Sequence, residues 1–356
     1  MLLVLNLKNG FFYAQLPMIL NYAFTNQLTV SIIPNLFQQA IYFKGVMSAK
    51  EIRNSILNCE TKDETGLNDF QKLPDDSGIA IDKVGINNYR IPLQFRHQDG
   101  TVMSHDATVS MYVNCQSGKT GINMSRLGEI LMQESAKNPV DGAFFKKVLH
   151  RFRADMRDSV EEDFFDGAYL KIRYAYSIKQ PSLKSSRWGW QYYDCVLEGH
   201  ENAKGGVRLY LTVDYKYSST CPCSLSMSKQ YEKDFAAGKE WEGNGIAVGH
   251  SQRSLAKVTI QYSPDQDFCV EDLVALIRKG LPTETQSMVK RIDEQAFAIM
   301  NGSNPMFVEH ATRRLSKVLN ADKRILDWAG SVEHWESLHS HNAVGVIRKG
   351  IPGGLR

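Results

Sequence analysis

Between residues 89 and 348 the chain repeats one order of elements, and that repeat limits its fold more than any other feature. Two strand-like runs (89–95 and 107–113) precede helical patterns at 125–133 and 141–156, and two more strand-like runs follow at 168–178 and 188–197. The same order returns with strands at 207–217 and 254–262, helical patterns at 270–279, 284–300 and 305–319, and strands at 324–329 and 341–348. The strand-like runs alternate in polarity and are rich in Tyr, Trp, Ile and Val, as a half-buried pleated surface requires. The helical stretches carry apolar residues at helical spacing, for example Phe144, Val148 and Phe152. Helices grouped between antiparallel hairpins predict an α+β fold rather than a parallel α/β sheet. The seam falls near Gly205-Gly206, and the two halves share a pattern without sharing sequence.

A chain of 356 residues is long enough for two such modules, each with its own buried core. The formal charge of +3 implies no nucleic-acid footprint, so an anionic ligand must be met by local Lys and Arg. Six cysteines, irregularly spaced, argue against a secreted disulfide framework and for a reducing, cytoplasmic setting. Residues 1–46 differ from the rest, with no charged residue between Lys8 and Lys44 and no acid before Glu51. Polar residues interrupt this segment before about 18 apolar residues accumulate, so no membrane span is expected. Met47-Ser48-Ala49-Lys50-Glu51 reads as an alternative start, which would make 1–46 an upstream over-extension; a membrane-associated or partner-binding tail is the other reading. The expected organisation is an N-terminal extension (1–46), an acidic, turn-rich lead-in (47–89), a first module (90–204) and a second module (205–356).

The chemistry concentrates in the second module. Cys221-Pro222-Cys223 follows a strand, and two thiols this close suit a soft transition-metal site better than a disulfide framework. Two buried thiols flanking a proline is the plain alternative. Gly249-His250-Ser251-Gln252-Arg253 leads into the next strand and supplies an imidazole and a guanidinium. Asp293-Glu294 is expected mid-helix, and Glu309 on a following helix that opens with Pro305. Helical carboxylates are ordinarily solvated, so alone they say little. The run from Glu333 to His341 holds three histidines and two glutamates, a composition fit for proton transfer or metal ligation, or for a polar loop between strands.

Taken in order, these elements resemble GTP cyclohydrolase IB, the metal-dependent, bimodular tunnelling-fold family. The shared elements are the Cys221–Ser224 and His250–Ser254 motifs, Asp293-Glu294, Phe307-Val308-Glu309 and the run from Glu336 to His341; Asn123-Met124-Ser125-Arg126 looks like a further one. The resemblance spans roughly residues 90–350 and implies two tandem tunnelling-fold modules. It implies Cys221, His250 and Glu294 as ligands to one divalent metal (Zn²⁺, Mn²⁺ or Fe²⁺), and Glu309 as the guanine anchor. Cys223, Glu336 and His339 are the remaining active-site groups it implies, with Cys221 catalytic through the metal. Arg253 and Arg126 would meet the substrate, and Lys290, Arg291 and Arg313 are further candidates for neutralising the triphosphate. The sequence departs from the family in two places: Asn123 stands where a histidine is usual, and the segment 225–248 is long, reading as a surface excursion or lid.

The activity so implied is opening of the GTP imidazole ring, release of formate and rearrangement to 7,8-dihydroneopterin triphosphate, at the head of folate or queuosine-type deazapurine synthesis. The partners implied are GTP and copies of the same chain, a homotetramer with active sites between subunits, without nucleic acid or membrane. Two alternatives stay open at this level. A tunnelling-fold nitrile reductase would use a cysteine nucleophile and NADPH, and a non-enzymatic protein would use the cysteines for a structural metal. Structural zinc sites are normally closed sets of four, whereas one thiolate, one imidazole and one carboxylate leave a position open.

Overall fold

All eight strand-like runs form strands, and they join into one antiparallel sheet. The computed structural model describes residues 2–7, 10–15, 48–63, 65–157 and 165–355, which fall into two compact units, Met1–Ile79 and Ala80–Arg356. In the first unit β1 (Leu2–Leu7) pairs with β2 (Gly10–Gln15), and α1 (Ala49–Leu57) opens on a capping box. There the Ser48 hydroxyl accepts from the Glu51 amide, and the Glu51 carboxylate accepts from the Ser48 amide. The expected over-extension at 1–46 lies largely outside the described residues.

In the second unit the strands are β3 (Ile81–Arg96), β4 (Val102–Cys115), β5 (Ala168–Pro181), β6 (Trp188–Glu201), β7 (Val207–Thr220), β8 (Ser251–Tyr262), β9 (Ile325–His334) and β10 (Ala343–Arg348). Each pairs with its neighbours in sequence, so the sheet order is β10-β9-β8-β7-β6-β5-β4-β3. Between β4 and β5 lie α2 (Met124–Ser135) and α3 (Gly142–Asp155). α4 (Pro222–Ala236) lies between β7 and β8, and α5 (Val270–Gly280), α6 (Arg291–Ser303) and α7 (Val308–Ala321) lie between β8 and β9. Strand pair, helices, strand pair, twice over, is the topology of two tandem tunnelling-fold modules.

One face of the sheet carries the core. On β6, Gly199 lies under Phe145 of α3, so close that a Cβ there would meet the ring at 2.4 Å. Gly199 is in register with Leu209 of β7, and on that same face of β7 Tyr215 reaches the Leu281 carbonyl just after α5. Both helix pairs therefore cover the same face, over a floor that includes Leu211, Val213, Val258, Ile260 and Trp328. The opposite face carries cross-strand ion pairs, Lys171–Glu198, Lys216–Asp194 and Lys257–Asp214, the solvated side of an antiparallel sheet.

Three expectations change. The lead-in ends sooner than residue 89, because the first unit closes at Ile79 and β3 starts at Ile81. Gly205-Gly206 is a turn inside one continuous sheet: Gly205 has φ 80°, and the Asn202 side chain accepts from the amides of Lys204 and Gly206. Residues 284–290 are not helical, since Glu284 bridges to Tyr217 as extended chain and α6 begins at Arg291. Among the described residues, no helix is long and apolar enough to cross a membrane.

Candidate active site

The candidate residues of the second module gather at one end of the sheet, where β7 and β9 finish, β8 starts, and α4, α6 and α7 begin. Cys221 is the residue before α4, with Pro222 in the first turn, where its fixed φ and missing amide hydrogen cost nothing. This helix takes up much of the segment expected as a surface excursion. The Cys221 amide donates to the His250 carbonyl (3.1 Å) and the His250 amide to the Ser224 hydroxyl (3.1 Å), so the two motifs are joined through their backbones. Gly249 permits that closeness, because a Cβ there would meet the Leu225 Cα at 2.8 Å. Cys221 is half-buried and Cys223 exposed, so the two thiols sit in different surroundings.

The His250 ring is oriented by its neighbours. Nδ1 lies 2.9 Å from Gln252 Oε1 and 3.9 Å from Glu336 Oε2. Behind Gln252, Ser219 and Ser254 are fully buried and share a hydrogen bond (2.9 Å), and Gln252 Nε2 donates to Ser219 Oγ (2.8 Å). Arg253, the next residue on β8, is exposed and leaves the strand from the other face. The sequence thus sets Arg253 beside His250 while the pleat turns it away.

Asp293 and Glu294 are adjacent but differ in surroundings, and they open α6 rather than sit mid-helix. The Asp293 carboxylate is fully buried and accepts from the amides of Lys184, Ser185 and Lys290 and from the Ser185 hydroxyl, at 2.6–2.8 Å. Burial pushes that carboxyl up, but the bonds from Ser185, Lys290 and Lys184 outweigh it and hold the group below the usual carboxylate range. It caps α6 and pins the β5–β6 turn of the first module to it. Glu294 is exposed and lines a cleft of about 570 Å³ with Thr220, Leu225, Gly249, Ser251 and Phe297.

The C-terminal cluster divides. β9 extends to His334, whose buried Nε2 lies 2.8 Å from the Tyr217 phenol. Burial lowers its pKa to about 4, against the opposing pull of the Glu309 charge. Glu309 itself is exposed in the first turn of α7. Glu336 is half-buried in the loop after β9, and His339 is exposed and stacks on His341 with centroids 4.9 Å apart.

Arg126 is not brought to this group within the chain. It lies on α2, which packs on α3 and β3, five strand spacings from β8, and its guanidinium donates to the Arg157 carbonyl. Asn123, at the usual histidine position, precedes α2 and accepts from the Ser125 hydroxyl. Sequence reasoning quoted Gln252, Ser254 and Asp293 within motifs without giving them a role, and gave none to Ser219 or Tyr217; the inward alternation of Gln252 and Ser254 along β8 was the signal available for two of them.

The donor set fits a divalent cation by its chemistry: a thiol, an imidazole whose Nδ1 is already engaged, and a carboxylate on the wall of the adjoining cleft. Among the described residues, however, no three His, Cys, Asp or Glu side chains converge closely enough to hold a metal.

A model of the family described as type I GTP cyclohydrolase folE2 matches residues 67–345. GTP cyclohydrolase FolE2 of Cereibacter sphaeroides (strain ATCC 17025 / ATH 2.4.3) is 40% identical over 272 residues, covering 76% of this chain and 71% of that protein. GTP cyclohydrolase FolE2 of Ruegeria pomeroyi is 39% identical over 298 residues, covering 80% and 74%. Among solved structures, the uricase of Arthrobacter globiformis is similar at 7% identity with a TM-score of 0.44, covering 78% of this chain and 96% of that one. With most of its length matched by the family model and by these relatives, the chain belongs to the type I GTP cyclohydrolase FolE2 family.

Proposed function

We propose that the protein opens the imidazole ring of GTP by hydrolysis, releases formate and yields 7,8-dihydroneopterin triphosphate, with the second module supplying the chemistry. The observation that carries this is the convergence of the Cys221 and His250 backbones beside the cleft lined by Glu294. A divalent cation held by Cys221, His250 and Glu294 would supply a Lewis acid that activates water at neutral pH. Glu336, within 3.9 Å of the His250 ring, and His339 on the same loop would move the protons of attack and ring opening. Glu309 accepts from guanine N1–H and the exocyclic amine, a pair adenine does not offer, so discrimination on the order of 10⁴ is available from the unmatched acceptor. Cys223 stands on the open side of the α4 start as a group that meets substrate rather than metal. Arg253 faces the open side of the sheet and Arg126 lies across it, so both would meet the triphosphate in an assembly that brings a second chain to the site. The reading includes a homotetramer with inter-subunit sites, to which the exposed apolar rim of the cleft, Ile246 and Val248, would offer contact surface. Neither a nitrile reductase nor a structural metal protein accounts for the family match as well.

The test is to incubate the zinc- or manganese-loaded protein with GTP and assay formate together with a fluorescent pterin after oxidation. Absence of both products sinks the proposal. Cys221→Ala is expected to lose bound metal and ring opening together, as read by elemental analysis and formate release.

A further inference from the structure

We infer that Gln252 is a positioning residue that sets the tautomer of His250, held in that role by the buried hydroxyls of Ser219 and Ser254. The inference deepens the proposed function by naming what prepares His250 for a cation, and it rests on that reading for its chemical consequence.

Gln252 Oε1 can only accept, so at 2.9 Å from Nδ1 it requires the His250 proton on Nδ1 and leaves Nε2 with its lone pair. A free histidine side chain prefers the opposite tautomer, so the environment must impose this one. The Glu336 carboxylate is a poorer rival for that proton at 3.9 Å and stays available for proton transfer. An amide accepts without adding charge, whereas a carboxylate at residue 252 would add a negative charge beside a thiol and a carboxylate already in the donor set.

The amide is oriented from its far side. Its Nε2 donates to Ser219 Oγ at 2.8 Å, and Ser219 bonds Ser254 Oγ at 2.9 Å. Ser254 stands opposite Tyr217 on the neighbouring strand, and the Tyr217 phenol meets His334 Nε2 at 2.8 Å. Gln252 is 7% exposed, His334 2%, and Ser219, Ser254 and Tyr217 not at all. Because Gln252 Nε2 donates to Ser219 Oγ, the Ser219 hydroxyl can pass its own proton on to Ser254. The amide carbonyl is then left facing His250. A partly satisfied buried chain is costly, so this direction is held by all its members together.

The experiment uses metal-free full-length protein with ¹⁵N-labelled histidine. Nitrogen–proton correlation spectra assign the proton of His250, and zinc affinity is measured by competition with a chromophoric chelator. Wild type is expected to show Nδ1–H. Gln252→Leu should shift His250 to Nε2–H and weaken zinc by about 10–100-fold, while Gln252→Glu, which keeps the acceptor, should keep Nδ1–H. If Gln252→Leu shows no cooperative thermal transition, Ser219→Ala replaces it, expected to mix the two tautomers by freeing the amide. Nε2–H in wild type, or an unchanged tautomer in both Gln252→Leu and Ser219→Ala, overturns the inference. Nδ1–H in a zinc-loaded protein that releases no formate from GTP supports this inference and sinks the proposed activity.

Discussion

In sequence, His334, Glu336, His339 and His341 form one cluster; in space they separate by the pleat of β9 and the turn beyond it. His334 points inward to Tyr217, whereas Glu336 reaches the edge of His250 and His339 faces solvent. Composition marks the cluster, but only the strand register says which member is buried. His334 also carries a pH dependence. Its folded pKa of about 4 lies below the ordinary 6.5, because burial disfavours the charged ring. Above pH 6.5 both states are neutral; as pH falls toward 4 the unfolded chain takes the proton and the folded one does not. Stability should therefore fall across that window by about 3 kcal/mol from this group. Chemical denaturation from pH 7 to 4 measures the slope, and His334→Gln should flatten it. At Glu309, replacement by Gln removes one acceptor lobe and should cut the preference for GTP over ATP by about 10²-fold or more while leaving metal content unchanged. Parallel binding and elemental assays decide, and metal loss in that variant would count against Glu309 as the guanine anchor.

At the scale of elements, the strands were legible because one face is buried and the other wet. β8 alternates along its length with Gln252, Ser254, Ala256, Val258 and Ile260 inside. The helices that build the core were legible for the same reason: α3 buries Phe144, Phe145, Val148, Leu149 and Phe152. α4 was not, and α6 was read as starting at 284 rather than Arg291, because neither has an apolar stripe to reveal its limits. α4 fully buries only Ser228 and Asp234, and α6 only Asp293, so their limits are set by capping and by Pro222 rather than by hydrophobic period. Two glycines test the packing. Gly199→Ala forces a Cβ into Phe145 and should destabilise by about 1–3 kcal/mol in denaturant titrations. Gly249→Ala meets backbone at Leu225, which cannot rotate aside, so the His250 segment must shift. Its expected result is a fall in zinc affinity larger than its effect on melting temperature.

At the scale of the molecule, the eight-stranded sheet ends, among the described residues, in two unpaired edges, β3 and β10, and Val344 and Val346 stand exposed on the latter. Open edges of this length invite pairing with another chain. If the protein is the proposed homotetramer, light scattering should give four times the chain mass, and dilution below the assembly range should remove activity without unfolding the subunit. A monomer active at every concentration would rule out sites shared between subunits. No sequence pattern disclosed how the β5–β6 turn is tied to α6: beyond the β6–β7 pairing and the contacts of Gln180 and Ser182 with residues 284–288, that turn is held by one buried carboxylate. Asp293 grips the backbone of Lys184 and Ser185, so the first module sets where α6 begins and hence where Glu294 stands. The hairpin that carries no chemistry acts as a gauge for the one that does. Lengthening that turn by a residue should uncouple Glu294 from Cys221 and His250 while the sheet still forms, so an inherited insertion there would silence the enzyme and leave a folded, abundant protein behind.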